Sequence, residues 1–325
     1  MHEQSRQNIA RLINELEKVI IGRADTVKLV VTGLVAGGHV LVEDYPGSGK
    51  TTLAKTLGRL IDCGTHAGGT QHIAPFRRIQ FTPDLLPSDV LGVNIFDAKS
   101  GEFRFVRGPV FAHILLADEI NRTGPKVQAA FLECMAERQV TLDNVTHPLD
   151  QLFFVIGTQN PLDIAGTYPL SIVQLDRFLL KIPMNYVSRE DELKILRQSE
   201  EIDRTLATRA PVVTRADVLQ AQSAANEVKI DDRILDAIVD IAQGSRSSQI
   251  LNFGASTRAA IMLKRSARAW ALVNDRDYVT EDDIKYMTPY VLKHRLRFNP
   301  GISNTNEAFQ DFMKPFIEKL VARSI

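Results

Sequence analysis

The sequence predicts an α/β fold, a parallel doubly wound sheet followed by an all-α helical unit, on three observations. Short β-rich runs alternate with helical ones as far as Pro183, each gap between runs is long enough for a crossover helix, and beyond Pro183 the signal is helical. The β-rich runs are residues 39–43, 78–82, 114–118, 153–158 and 179–183. Residues 11–19 place Leu12, Leu16 and Val19 at helical spacing, and residues 126–138 do the same with Val127, Phe131 and Cys134/Met135, so both are core-facing helices. Later helices are expected at 190–199, 215–227, 231–243, 256–273 and 280–294. Several are opened by Ser, Thr or Asp, whose side chains accept from the free N–H groups of a first turn. The charged run Arg189-Glu190-Asp191-Glu192 marks the change of character. It sets the expected units at 1–187 and 188–325, each with its own core. Two insertions read as hairpins, 91–105 around Lys99-Ser100-Gly101 and 138–149 around Asp143-Asn144.

Composition bounds the classes of function. A chain of 325 residues that is 44% hydrophobic buries a full core. Lys+Arg and Asp+Glu both number 39, so no basic surplus draws the chain to nucleic acid or to an acidic membrane. No segment has the uninterrupted apolar length of a membrane span, and the start of the chain carries Glu3 and Arg6 in place of an apolar leader. Cys63 and Cys134 lack CxxC partners, which fits a reducing compartment and a cytoplasmic location. Cys63, His66 and His72 are irregularly spaced, a pattern closer to a loop with incidental histidines than to a metal site.

Chemistry concentrates at strand ends. An apolar run enters the turn Pro46-Gly47-Ser48-Gly49 and closes on Lys50-Thr51-Thr52. Gly47 and Gly49 let backbone N–H groups curve around a β-phosphate, Lys50 reaches the β/γ oxygens, and the Thr51 hydroxyl holds Mg²⁺. The helix that follows points the positive end of its dipole at the phosphates. The generic pattern opens with Gly where this chain has Asp44. Residues 114–117 then deliver Asp118 and Glu119: Asp118 in the metal's second shell, Glu119 beside the γ-phosphate to orient and deprotonate water. At the end of the next strand, Asn160 first and Thr158 second are the polar side chains able to hold that water. Asn160-Pro161 is also a turn signal in its own right.

With these motifs in place the chain resembles the MoxR-type AAA+ ATPases. The matching stretches are residues 19–23, 43–51, 78–89, 115–122, 157–161, 166–170 and 174–178, with 252–259 and 267–271 in the helical part, so the likeness is nearly full length. It implies a P-loop AAA+ core followed by a helical lid, with ATP and Mg²⁺ as cofactors. It also implies an adenine pocket lined by residues 19–23, Ile20, Ile21 and Gly22 among them, and gives Asn160 the role of γ-phosphate sensor. Arg177, in Leu175-Asp176-Arg177-Phe178, matches the finger that reaches a neighbouring subunit's site, and Arg258, in Ser256-Thr257-Arg258-Ala259, matches the sensor arginine of the lid. The further implications are a homo-oligomeric, hexameric ring and a remodelling role on a client protein. The resemblance also points to metal or cofactor insertion alongside a partner with a von Willebrand factor A domain. The two hairpins become contacts either for a client in the pore or between subunits. A magnesium-chelatase-like motor subunit and a nucleic-acid translocase of a related AAA+ clade are the alternatives; stimulation by a tetrapyrrole-binding partner or by DNA would reveal them.

Overall fold

The computed structural model describes residues 2–44, 47–64, 73–160 and 166–322; Pro46, His66, His72 and Pro161 lie outside the described residues. The chain begins with α1 (His2–Glu17) and α2 (Ala24–Val35). In α1, Ile9, Leu12, Ile13 and Leu16 recur at helical spacing and are buried on one face. Then come β1 (Val40–Asp44), α3 (Lys50–Leu60), β2 (Ile61–Asp62), β3 (Ala74–Gln80) and α4 (Pro87–Leu91). A hairpin of β4 (Gly92–Asp97) and β5 (Glu102–Arg107) leads into β6 (Ala112–Asp118) and α5 (Pro125–Glu137). A second hairpin, β7 (Gln139–Leu142) and β8 (Val145–Pro148), precedes β9 (Phe154–Gln159), α6 (Ile172–Leu175) and β10 (Leu180–Met184). Asp143 and Asn144 both have positive φ, 49° and 64°, as a two-residue turn of the twisted hairpin type requires.

All five strands expected before Pro183 form one sheet, β10-β1-β9-β6-β3, and every pairing in it is parallel. Alternate residues serve opposite faces. Val40 and Val42, Ile114 and Leu116, Phe154 and Ile156 pack toward α1, α2 and α3, whereas Leu41, Leu115, Ala117 and Val155 pack toward Val127, Phe131 and Met135 of α5. Helices on both faces make the sheet doubly wound, and all seven residues of β6 are buried. The C-terminal ends of β1, β6 and β9 therefore converge on one edge.

The helical part comprises α7 (Arg189–Thr208), β11 (Val213–Thr214), α8 (Arg215–Glu227), α9 (Asp232–Ser247), β12 (Leu251–Phe253) and α10 (Thr257–Val273). It continues through α11 (Glu281–Leu292), a 3-10 turn (Lys293–Arg295), β13 (Arg297–Phe298) and α12 (Thr305–Ala322). Ser188, Thr214, Asp231, Ser256 and Thr280 each accept a first-turn N–H, the capping that their residue types predict. Strand pairing does not stop at Pro183, however. β11 lies parallel to β2, and β12 pairs antiparallel with β13. Pieces of two or three residues carry no periodicity for a sequence reading to detect.

The expectation of separate cores meets a different packing. A single buried apolar cluster takes in Leu12, Val30, Val42 and Ile182 and continues through Ala221, Ile241, Leu263 and Met287. The helices α1 and α2 pack against α8 and α10. Polar contacts reinforce the seam: Arg209 pairs with Glu15 at 2.6 Å, and Gln222 donates to the Leu34 carbonyl at 2.9 Å.

A titratable cluster spans the same seam. Asp150 forms a bidentate pair with Arg215 at 2.8 and 3.1 Å and lies 3.4 Å from His113 Nδ1. Burial alone would lower the His113 pKa, but the Asp150 carboxylate and then the Cys63 thiol outweigh it and raise it to about 9. His39 behaves oppositely: burial holds its pKa down at about 4, and the neutral ring bridges Met135 O and Val155 N–H at 3.1 Å each. A raised histidine contributes stability that is complete below its unfolded pKa and is lost as pH rises through the folded value. His39 is neutral in both states above its unfolded pKa. Urea unfolding is therefore expected to show stability falling between pH 6.5 and about 9 by up to roughly 3 kcal/mol from His113. In His113→Gln that slope should flatten; an unchanged slope would contradict the assignment.

Candidate active site

The phosphate turn sits where β1 runs into α3. Gly47 and Gly49 have φ of 83° and 90°, and a Cβ built on either would meet nothing within 4 Å. What these positions require of glycine is therefore the left-handed backbone, not room for packing. Gly49 is the N-cap of α3, and among the described residues no side chain caps that terminus. Its first-turn N–H groups are arranged to receive an anion. Lys50, at the first position of α3, brings Nζ to 3.7 Å from Asp118 Oδ1, and Thr51 and Thr52 follow it, half-buried.

Asp118 ends β6, buried to 4% exposure, and is held on both oxygens. Thr158 Oγ1 donates to Oδ1 at 2.6 Å, and Arg78 reaches Oδ2 at 2.6 Å. Glu119 follows in a left-handed conformation, φ 57° and ψ 52°, that turns the chain at the strand end. Its N–H donates to Thr158 Oγ1 at 2.9 Å, and its carboxylate is engaged by Gln80 at 2.7 Å and by Arg122 at 3.2 Å. Thr158 thus locks Asp118 and Glu119 together, a role different from the water-holding one considered for it. Asn160, just past the end of β9, stays half-buried at the same edge. Thr158→Val strands the Glu119 N–H and removes a donor from Asp118. We expect it to destabilise the fold by about 1–3 kcal/mol and to slow turnover; urea unfolding and a steady-state ATPase assay check both.

A cleft of about 530 Å³ joins the two expected parts of the nucleotide site. Ile20, Ile21 and Arg23 line it together with Gly47, Ser48, Gly49 and Thr52. Gly22, with φ 72°, makes the turn between α1 and α2, and a Cβ there would come within 2.7 Å of Asp191. Across the cleft stand Tyr186 and the α7 residues Ile195, Leu196 and Ile202, which sequence reasoning did not single out. The surface combines apolar side chains for a base with the first-turn N–H groups of α3 for phosphates. Mg²⁺ fits in a limited way. Thr51 and Asp118 would offer hard oxygen ligands, but among the described residues no cluster of three or more His, Cys, Asp or Glu forms a protein-only cage. That donor set suits an ion that keeps waters and phosphate oxygens in its shell.

Arg177 and Arg258 lie elsewhere. β10 pairs with β1 so that Leu180 is level with Val40 and Met184 with Asp44. Leu179 N–H donates to the His39 carbonyl, so the chain enters β10 at the N-terminal edge of the sheet, and the strand from Leu180 to Met184 rises by roughly 13 Å toward the phosphate edge. Arg177 sits just before β10, half-buried, with Nη1 enclosed and lacking a hydrogen-bond partner among the described residues. Arg258 Nε stands 3.6 Å from Asp176 Oδ2, and its side chain is 56% exposed. Both arginines thus gather around Asp176, at the corner where the chain enters β10.

Fold and site define a phosphate-loop nucleotide-binding protein with a helical lid. Residues 39–180 match the model of the ATPase family associated with various cellular activities (AAA), and residues 243–313 match the AAA lid domain. The chain is 44% identical over 292 residues to the uncharacterized protein YeaC of Bacillus subtilis, covering 90% of this chain and 88% of that one. It is 38% identical over 297 residues to the chaperone MoxR1 of Mycobacterium tuberculosis, covering 89% and 75%. The crystal structure of a candidate ATPase from Cytophaga hutchinsonii superposes with a TM-score of 0.83 at 38% identity, covering 98% of this chain and 96% of that one. The chain belongs to the MoxR-type AAA+ ATPase family. Its architecture is the expected P-loop AAA+ core with a helical lid.

Proposed function

We propose that this chain hydrolyses ATP with Mg²⁺ in a homo-oligomeric ring, hexameric by family likeness, and uses the cycle to remodel or mature partner proteins in the cytoplasm. The observation that carries the reading is the division of the machinery. Lys50, Asp118 and Glu119 share one edge of the sheet, and Arg177 and Arg258 share the opposite one. Within one subunit the two sets do not meet, so a complete site forms where the arginine corner of one copy meets the phosphate edge of the next.

In this reading the N–H groups at the start of α3 and the Lys50 ammonium hold the β- and γ-phosphates, and Thr51 and Asp118 hold Mg²⁺. When bound, the ion offsets phosphate charge. Glu119 takes the proton of the attacking water, which Asn160 orients. That role requires the Glu119 carboxylate to exchange its contacts with Gln80 and Arg122 for one with water. Arg177 from the neighbour offsets the charge that develops on the transferring group. The boundary at residue 188 between core and lid belongs to the same proposal, with α7 as the lid element that meets the nucleotide. The chaperone name of the MoxR1 relative supports a protein client. A partner with a von Willebrand factor A domain and a role in metal or cofactor insertion rest on the family likeness. No helix among the described residues is long and apolar enough to cross a membrane. The test is ATPase rate against protein concentration, with light scattering in parallel. Specific activity is expected to rise with assembly and then to plateau, whereas a proven monomer turning over at the plateau rate would remove the ring.

A further inference from the structure

The arginine corner is anchored by a buried charge. Arg295, in the 3-10 turn after α11, is 2% exposed, yet each of its guanidinium nitrogens is engaged. Nε donates to Asp176 Oδ1 at 2.7 Å, Nη1 to the carbonyls of Leu179, at 3.3 Å, and Val291, and Nη2 to the carbonyls of Asp176, at 3.3 Å, and Phe178. Burial pulls the Arg295 pKa down to about 10 against the opposing pull of Asp176. Taking such a group out of water costs several kcal/mol before its partners offset it, and a well-packed apolar side chain would often stabilise the same space equally well. The charge is better explained by what it fixes. Asp176, Phe178 and Leu179, whose atoms it grips, flank Arg177, and the second Asp176 oxygen faces Arg258.

We infer that Asp176 and Arg295 are positioning residues that clamp the Arg177 corner and Arg258 to α11, so that the arginines presented to a neighbouring subunit move with the lid. The inference rests on the proposed action of Arg177 in trans. Its consequence is a route between sites. The lid meets its own subunit's nucleotide cleft through Ile195, Leu196 and Ile202 of α7, and it holds the arginine corner at the opposite edge through Arg295. Closure around one nucleotide then adjusts the arginines offered to the next.

The test uses full-length Asp176→Asn, which keeps the side-chain size and one acceptor, and Arg295→Lys, which keeps the charge. Each is measured for nucleotide affinity, for kcat and KM, and for rescue in mixed rings. The expected result is nucleotide affinity within about twofold of wild type and kcat lower by roughly 10²-fold, the cost of misplacing a reacting group by about an ångström. Mixed with Glu119→Gln, either variant should regain activity, because its intact base then faces an intact arginine corner. Mixed with Arg177→Ala it should not, because both proteins are defective on the same side of the interface. Rescue by Arg177→Ala, wild-type kcat, or a raised KM at unchanged kcat would overturn the inference. So would failure of both variants to assemble, which would give the pair a folding role only. A separate control distinguishes the underlying reading: if Glu119→Gln and Arg177→Ala do not rescue each other in proven mixed rings, action in trans fails first and the clamp falls with it.

Discussion

Lys50→Ala is expected to lose tight ATP binding, whereas Glu119→Gln should bind ATP close to wild-type affinity and turn it over roughly 10²–10⁴-fold more slowly. The two outcomes differ because the two groups act at different points. The Lys50 ammonium, 15% exposed at the N-terminus of α3, would answer phosphate charge already present in a bound nucleotide. Glu119 as the base would contribute only when water loses a proton, and Gln keeps its size and its ability to accept from Gln80 while giving up the base. Nucleotide titration and single-turnover hydrolysis on both variants separate binding from chemistry. Wild-type turnover in Glu119→Gln would remove the base assignment and leave Asp118 as the nearest carboxylate to reconsider.

Arg177→Ala should lower kcat by about 10³-fold or more with little change in nucleotide affinity. Arg177 lies just before β10, whose first residue is level with the first residue of β1, so its loss should leave the phosphate turn beyond the other end of β1 untouched. Its Nη1 is enclosed and has no hydrogen-bond partner among the described residues, so losing that donor breaks no hydrogen bond among them. A mutant whose affinity fell in step with its rate, or whose melting temperature dropped steeply, would mark Arg177 as a structural residue instead. Arg258→Ala tests the neighbouring arginine in the same way. Its exposed side chain and its long 3.6 Å contact with Asp176 predict a rate effect with little loss of stability.

Legibility in the sequence followed distance along the chain. The phosphate turn and the Asp118-Glu119 pair were readable because each is a run of adjacent residues at the end of an apolar strand, where one strand and one turn fix all the side chains at once. The sheet was readable for the same reason: its strands are short, mostly apolar apart from the Arg-bearing β3, and separated by crossover lengths. Arg78 and Gln80 were not, because their role comes from β3 lying beside β6, with Gln80 level with Asp118, and pairing order is not written in either strand alone. The α7 wall of the cleft looked like one more amphipathic helix, since Ile195, Leu196 and Ile202 satisfy helical spacing whether they face a core or a nucleotide. The Asp176–Arg295 contact joins residues 119 positions apart. Charge cannot reveal it, because an Arg in the basic run Lys293-His294-Arg295 reads as solvated until its burial is known. The separation of cores failed because α1 and α2, early in the chain, complete a surface for α8 and α10, which come late.

Completion of the active site between subunits is tested most directly by mixing two inactive proteins, Glu119→Gln and Arg177→Ala, and following steady-state ATPase across mixing ratios once light scattering and subunit exchange have demonstrated mixed rings. Glu119→Gln still presents an arginine, and Arg177→Ala still holds a base, so an interface that pairs the two intact halves contains every group the reaction needs. Activity should rise above that of either pure protein and peak at intermediate ratios, and even a minority of repaired interfaces should be visible against mutants slowed about a thousandfold. A flat profile at the mutants' own low rates, in rings shown to be mixed, would contradict it.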